Sequence, residues 1–396
     1  MNEFPKVILK SGRDRSIKRF HLWIFSGAIK RIEGKPADGD VVEVFSTQGE
    51  YLATGHYQNG SIMVRIFSFI QIPIDEAFWT DKIKSAINYR RILGFFDNSE
   101  TNVFRLIHGE GDNMPGLIVD YYNGVVVLQA HSVGMYRTRA LFSKILLALL
   151  GKTVQTIYDK SESTLNTAGE ENAEKFLGGD VGTGNAVVLE HGNHFEIDFR
   201  KGQKTGFFID QRENRNLLKK YCNGKQVANV FSYSGGFSVY AERGGATLID
   251  SIDASEKAID LAKKNMELNF GAKEIHRYFT KDAFEYFRDL DQKFNVIILD
   301  PPAFAKHRQA LNNALKAYRR INEIAMNNMS PGSILFTFSC SQVVSREDFR
   351  TAVFSAAANT GRNIRIMHQL TQPADHPINI YHPEGEYLKG LVLFVE

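Results

Sequence analysis

The chain has 396 residues, 43% of them apolar, with a formal net charge of +3, and at the usual ~100–200 residues per domain it holds two or three cores. So small a charge excludes nucleic-acid affinity spread over the whole surface, leaving only local patches. Two cysteines exclude a disulfide framework, and without a leader or a bilayer-length apolar run the expected place is a reducing cytoplasm, off the membrane.

The chain opens on a basic stretch. Between Lys6 and Lys35 stand nine cations (Lys6, Lys10, Arg13, Arg15, Lys18, Arg19, Lys30, Arg31, Lys35) against two acids, Asp14 and Glu33. They flank His21-Leu-Trp23-Ile-Phe25. Interleaved cations and aromatics suit a phosphate backbone with exposed bases, which makes Lys18 and Arg19 candidate RNA contacts; the plainer alternative is a solvated charged face. From Asp40 to Phe69 apolar residues alternate with the strand period between Gly-, Asn- and Gln-containing turns, a small β-rich module.

Pro73 marks a boundary, and Asp75 to Leu93 predicts a helix. Val103 to Gln129 predicts strands, with Asn123-Gly124 as a hairpin turn between apolar runs. Leu141 to Leu150, interrupted by Ser143 and Lys144, reads as an amphipathic core helix, and Ser161 to Asn185 is polar and glycine-rich. Phe195 to Phe199 then leads into Lys201-Gly-Gln-Lys-Thr-Gly206 and Asp210-Gln211-Arg212. The phosphate-loop order is absent there, and Asp210 is the expected N-cap of a helix over Gln211 to Tyr221.

The next stretch organises the rest. Val227-Ala-Asn-Val-Phe231-Ser232-Tyr-Ser234-Gly235-Gly236-Phe predicts a buried strand that breaks into a small, glycine-bearing turn and then a helix. Thr247 to Asp253 is a second strand ending in an acid, and Phe294 to Asp300 a third, locked to Pro301-Pro302-Ala-Phe304. Ser333 to Ser341 is a fourth, ending at Cys340. This is a doubly wound α/β pattern with ligand groups at the carboxyl ends of the strands. Gly235 and Gly236 are expected to let a ligand approach the backbone, and Asp253 to accept both hydroxyls of a ribose. Without the G-x-G-x-x-G spacing, a cofactor lacking phosphates fits better than NAD. Asp282 is expected to cap a helix. The tail histidines His368, His376 and His382 lack metal-ligand spacing, so no metal is expected.

Asn229 to Phe237, Asp253-Ala-Ser255, Asp282-Ala283, Asp300-Pro-Pro-x-Phe304 and Phe338-Ser-Cys-Ser341 together resemble class I S-adenosylmethionine-dependent methyltransferases. More closely, the chain resembles, over nearly its whole length, the bacterial large-subunit ribosomal RNA cytosine-C5 methyltransferases of the I type. His21-x-Trp-x-Phe-Ser-Gly-Ala followed by Gly39-Asp40 resembles the PUA domain, an RNA-binding β-barrel. Two departures stand out: Leu22 replaces the usual proline, and Thr164-Leu-Asn replaces paired basic residues.

The resemblance implies a PUA domain over 1–72, a central α+β domain over 73–185 and a Rossmann-like methyltransferase domain over 186–396. It implies S-adenosylmethionine held by Phe231, Ser232, Ser234, Gly235, Gly236, Asp253, Ser255, Asp282, Ala283, Asp300, Gln211 and Arg212, with Arg212 on the carboxylate and Asp282 on the adenine amino group. Pro301, Pro302 and Phe304 would face the flipped-out base. Cys340 and Asp300 would be catalytic, the thiolate adding at C6 to activate C5 of a cytosine in 23S ribosomal RNA. A homodimer is an open assembly. Two other readings stay open: methylation of a purine nitrogen without a covalent intermediate, and a non-catalytic RNA-binding assembly factor.

Overall fold

The computed structural model describes residues 4–165, 175–180, 184–290 and 293–396. They divide into two compact units, one of Met1–Val188, Ile197–Phe207 and Ala374–Gly385, the other of Leu189–Glu196, Phe208–Pro373 and Glu386–Glu396.

The first unit contains two sheets. Strands β1 (Lys6–Leu9), β2 (Trp23–Phe25), β3 (Ile29–Glu33), β4 (Val41–Phe45), β5 (Tyr51–Tyr57) and β6 (Ile62–Ser68) form one in the order β2-β6-β5-β4-β1-β3. The basic N-terminal stretch therefore supplies half of this sheet. Val7 and Leu9, two apart on β1, and Ile24 on β2 pack with Val42, Val44, Val64 and Ile66 into one core, as the two-residue strand period requires.

The second sheet holds β7 (Val103–His108), β8 (Leu117–Tyr122), β9 (Val125–Ala130), β10 (Thr156–Asp159) and β11 (Lys175–Gly179), ordered β11-β10-β9-β8-β7, with α1 (Glu76–Ile92) and α2 (Val133–Leu150) against it. Asp75 caps α1 by accepting from the Phe78 amide at 3.0 Å. Asn123 and Gly124 both have positive φ, 47° and 94°, the primed turn that suits the twist of a two-residue hairpin. Arg90 is buried in α1, donates to both oxygens of Asp112 and reaches the Asp375 carbonyl at 2.7 Å, which fastens 374–385 to this unit. Of the polar segment 161–185, residues 166–174 and 181–183 lie outside the described residues.

A hairpin of β12 (Asn185–Glu190) and β13 (Asn193–Asp198) follows in the chain. The second unit is then built on β14 (Gln226–Val230), β15 (Leu248–Asp253), β16 (His276–Thr280), β17 (Phe294–Leu299), β18 (Met329–Ser339), β19 (Ile364–Leu370) and β20 (Lys389–Val395). Their order is β16-β15-β14-β17-β18-β20-β19; the first five are mutually parallel, and β20 runs antiparallel to both neighbours. β17, Phe294-Asn-Val-Ile-Ile-Leu299, reads as a near-continuous apolar run because helices cover both faces of a parallel sheet.

Those helices are α3 (Arg212–Leu218), α4 (Gly236–Arg243), α5 (Glu256–Phe270), α6 (Ala283–Arg288), α7 (Leu311–Asn327) and α8 (Arg346–Thr360). α7 shows why they dock: Ala314, Tyr318, Ile321 and Ala325 form one buried stripe at three- and four-residue spacing. Burying a side chain the size of Ile321 contributes about 1.5–3 kcal/mol, and the two alanines let the helix approach closely.

One helix differs from expectation. The turn Ile209–Gln211 is 3₁₀, α3 covers only Arg212–Leu218, and a second 3₁₀ turn spans Lys219–Tyr221. Asp210 lies inside the first turn and is not the N-cap. Its carboxylate accepts instead from the Tyr387 hydroxyl at 2.8 Å.

Candidate active site

Within the second unit the sheet's chain order reverses between β14 and β17, where open α/β sheets bind ligands at their carboxyl edge. Four strand ends meet there. The Ser232 amide donates to the Ile252 carbonyl (2.8 Å), the Asp300 amide to the Val230 carbonyl (3.4 Å), and Cys340 Sγ lies 3.9 Å from the Pro301 carbonyl oxygen.

The turn after β14 is bent into the left-handed region at Phe231 (φ 64°), Tyr233 (φ 43°) and Gly235 (φ 74°). Non-glycine residues held there cost about 1–3 kcal/mol each and cluster at ligand sites. A Cβ on Gly235 would stand 2.9 Å from Cβ of Ala262 on α5, and one on Gly236 would stand 3.0 Å from Cδ of Arg215. Neighbouring protein thus also requires glycine at both positions.

Asp253 ends β15 and accepts the Tyr233 amide on one oxygen (3.0 Å) and the Ser255 amide on the other (2.9 Å). Each oxygen retains a lone pair for a hydroxyl. Asp282 caps α6 by accepting from Phe284 at 2.8 Å, and Ala283 begins that helix buried. Ser234 is buried, its carbonyl taking a bond from Asn265. Two buried oxygens, Ser232 Oγ and Asp210 Oδ1, have no hydrogen-bond partner. Leaving such groups unmet costs about 1–3 kcal/mol each. A ligand carrying an ammonium, a carboxylate and a ribose would satisfy both, so the residues present fit S-adenosylmethionine.

The short helix α3 is exceptional in burying polar side chains: Gln211 at its N-cap, then Arg212, Asn214 and Arg215. Gln211 donates to Asp300 (3.0 Å) and accepts from Asn214 (2.6 Å). Arg212 donates to Glu213 at 3.0 Å. Arg215 forms a two-pronged pair with buried Glu190 at 2.8 and 2.7 Å and donates to the Phe208 carbonyl at 3.0 Å. Thr205 instead bonds Asp120 in the first unit at 2.5 Å. Glu190→Gln strands the Arg215 cation in the interior, so urea unfolding is expected to show a loss of about 3–5 kcal/mol, with Glu190→Gln plus Arg215→Met less damaged than Glu190→Gln alone.

Asp300 follows β17, and burial together with the nearby Asp210 carboxylate pushes its pKa up to about 7, against the opposing pull of the Gln211 bond and Arg215. Near neutral pH it carries a proton about half the time. The two cysteines differ sharply. Cys222 is buried, its thiol pushed up to about 12 by desolvation and bonded to the Leu218 carbonyl, whereas Cys340 is partly exposed beside the proline corner. Pro301 is buried and Pro302 exposed. Phe304 packs on Tyr318, ring centres 4.7 Å apart, so much of its face is already covered by protein.

Lys389 is a residue that sequence reasoning missed. It is buried on β20 and its Nζ donates to the Ser341 carbonyl at 2.5 Å. Nothing in Tyr387-Leu-Lys-Gly separates it from a surface lysine, because its partner is 48 residues away in sequence.

The N-terminal candidates lie in the first unit. Lys18 is paired with Glu50 (2.7 Å) and Asp14 (3.0 Å), and Arg19 is exposed. Trp23 is engaged, its indole nitrogen donating to Glu110 at 2.9 Å and its ring packed on His382. The exposed aromatics are its neighbours Phe20 and Phe25, each 46% accessible. Among the tail histidines, His368 meets the Tyr221 hydroxyl and His376 meets Asp375. His382 Nδ1 is buried, makes no hydrogen bond and lies 3.5 Å from a Glu384 carboxylate oxygen. It stands with His21 and Glu384, donor atoms within 4.8 Å of one another, a grouping invisible in sequence because His21 and Glu384 are 363 positions apart. His21 and Glu384 face each other directly at 3.2 Å.

Comparison with known proteins agrees with this geometry. A PUA-like domain family matches residues 7–69, and the S-adenosylmethionine-dependent methyltransferase family matches residues 104–382. Ribosomal RNA large subunit methyltransferase I of Enterobacter sp. (strain 638) is 37% identical over 391 residues, covering 97% of this chain and 98% of the relative. The protein of the same name from Aeromonas salmonicida is 37% identical over 393 residues, covering 98% of each. Among solved structures, a chain from Streptococcus mutans described as a SAM-dependent methyltransferase superposes with a TM-score of 0.85 at 21% identity, over 98% of this chain and all of that one. SMU.776, a methyltransferase complexed with SAH, gives 0.86 at 21% identity over the same shares. Among the described residues no helix is long and apolar enough to cross a membrane.

Proposed function

We propose that this chain, which belongs to the S-adenosylmethionine-dependent methyltransferase family and within it to the ribosomal RNA large subunit methyltransferase I proteins, methylates C5 of a cytosine in large-subunit ribosomal RNA through a covalent adduct on Cys340. The observation that carries the reading is the accessible thiol at the end of β18, against the Pro301 carbonyl and next to a strand end whose acid is held partly protonated. The test is nucleoside mass spectrometry on unmodified large-subunit RNA after reaction with S-adenosylmethionine: 5-methylcytidine is the expected product, and a methylated purine in its place overturns the assignment.

When bound, S-adenosylmethionine supplies an electrophilic methyl group. Asp253, the turn from Phe231 to Gly236, Asp282, Gln211 and Arg212 are the residues that would hold it. C5 of cytosine is a weak nucleophile, and addition of the Cys340 thiolate to C6 breaks the C5–C6 double bond and drives its electron pair towards C5. Negative charge then gathers at N3 and O2. Asp300 in its protonated form donates to N3, and Gln211 holds the other side of that carboxyl. Once C5 carries the methyl, loss of its proton restores the double bond and expels the thiolate. The base leaves its stack to enter, and Pro301, Pro302 and the free part of Phe304 border its place.

Residues 1–72 act as the PUA domain, 73–185 as the central domain and 186–396, apart from the segments 197–207 and 374–385 that belong to the first unit, as the methyltransferase domain, in the cytoplasm. In the first of these, Lys18→Glu with Arg19→Glu is expected to weaken RNA binding about tenfold and to flatten its salt dependence by about one to two ions, with cofactor affinity unchanged. Filter binding across a salt series checks this; an unaltered slope removes both residues from the RNA interface. Arg19 should account for most of the effect, since Asp14 and Glu50 already offset Lys18.

A further inference from the structure

Resting on the reading above, we propose that Lys389 is a positioning residue whose ammonium charge holds Cys340 as the thiolate. Three observations place it. Lys389 stands opposite Ser339 in the β18–β20 register, the residue immediately before Cys340. Its Nζ donates to the carbonyl of Ser341, the residue immediately after, so the side chain reaches from the position before the thiol to the one after it. The side chain is only 3% accessible, and among the described residues that carbonyl is its one hydrogen-bond partner.

A buried ammonium without an anion is expensive, and burial lowers this amine to about 8. The charged groups that act on it are Cys340 and Glu386, which favour its charge, and Arg346, which opposes it. Glu386 is 41% exposed and already paired with Arg346. Of the two anions, the sulfur of Cys340 acts on the amine more strongly than Glu386 does. The pair conserves protons: a neutral amine and a thiol become an ammonium and a thiolate when the S–H bond breaks and its proton passes to nitrogen. During the reaction the negative charge moves from sulfur to the base edge, and it returns to sulfur, beside the ammonium, when the thiolate is expelled.

The experiment is alkylation of the full-length protein by iodoacetamide from pH 5.5 to 9.5, without RNA or cofactor, read by mass spectrometry on the peptide carrying Cys340. In the wild type the midpoint of the rate profile should lie below the ordinary thiol value of ~8.5. Lys389→Met should move it up by about one unit and slow alkylation at pH 7 about tenfold, while Lys389→Arg should return it towards the wild-type profile. Coincident wild-type and Lys389→Met profiles overturn the proposal. So does a wild-type midpoint at or above the ordinary value, an outcome that needs no variant to fold. Retention of 5-methylcytidine by Cys340→Ala would remove the covalent reading while leaving the alkylation result in place. Coincident profiles with an inactive Cys340→Ala would remove only the role of Lys389.

Discussion

Replacing Cys340 with alanine should reduce 5-methylcytidine formation ~10³-fold or more, equivalent to about 4 kcal/mol of barrier. The size follows from the substrate: without addition at C6, the electron pair stays in the aromatic ring and C5 has little to offer an electrophile. Cys340 is partly exposed and its sulfur lies 3.9 Å from the Pro301 carbonyl oxygen, so the change opens no large cavity and the fold should survive. Isothermal titration with S-adenosylmethionine should therefore give near wild-type affinity, separating lost chemistry from lost binding. Equal yields of a methylated purine from both proteins would make the thiol structural and assign the chain to nitrogen methylation. Cys222→Ala should leave catalysis intact, because that thiol is buried and its proton tightly held.

Asp300→Asn should have opposite effects on activity and stability. The folded-state carboxyl titrates near 7, whereas in the unfolded chain an aspartate titrates near ~3.9. Below the lower value both states are protonated and burial costs nothing through this group. Between the two, the unfolded chain ionises while the fold retains its proton, so stability falls as pH rises, by up to about 4 kcal/mol once pH exceeds the folded value. Asparagine keeps an acceptor for Gln211 and removes the ionisation. Urea midpoints should show the variant more stable than wild type at pH 8.5 and nearly equal at pH 4. Turnover should fall about 10²–10³-fold, since an amide can donate a hydrogen bond to N3 but has no proton to release. An equal stability difference at both pH values would mean that Asp300 ionises as an ordinary carboxylate.

Much of this second unit was legible from the sequence because its cues are local. Phe294-Asn-Val-Ile-Ile-Leu gives a parallel strand buried on both faces, and the polar residue that ends such a run, Asp300, must emerge at the sheet edge. Asp253 follows from the same logic, and Asp282 from cap chemistry with its helix two residues on. What stayed hidden depends on partners distant in sequence. Asp210 has the residue type of an N-cap, but a 3₁₀ turn and the hydroxyl of Tyr387, 177 positions away, claim it. That Gly235 must also leave room for Ala262 on α5 is a packing demand no local cue could carry. The four- and three-residue strands β1 and β2 are too short for a period to show among so many cations. The allegiance of 374–385 to the first unit rests on Arg90, 285 positions before its acceptor.

The placement of β20 also bears on how the protein is made. β20 follows β19 in the chain yet lies between it and β18, bonded on both sides. A ribosome therefore delivers β19 before the strand that ties it to the sheet exists. Until then the nascent chain offers an unpaired flank on β18, the kind of edge to which other strands add. Lys389 arrives with this late strand. Any thiolate that depends on it would form only after β20 has inserted, so a half-made enzyme would carry a thiol still protonated and slow to react with stray electrophiles.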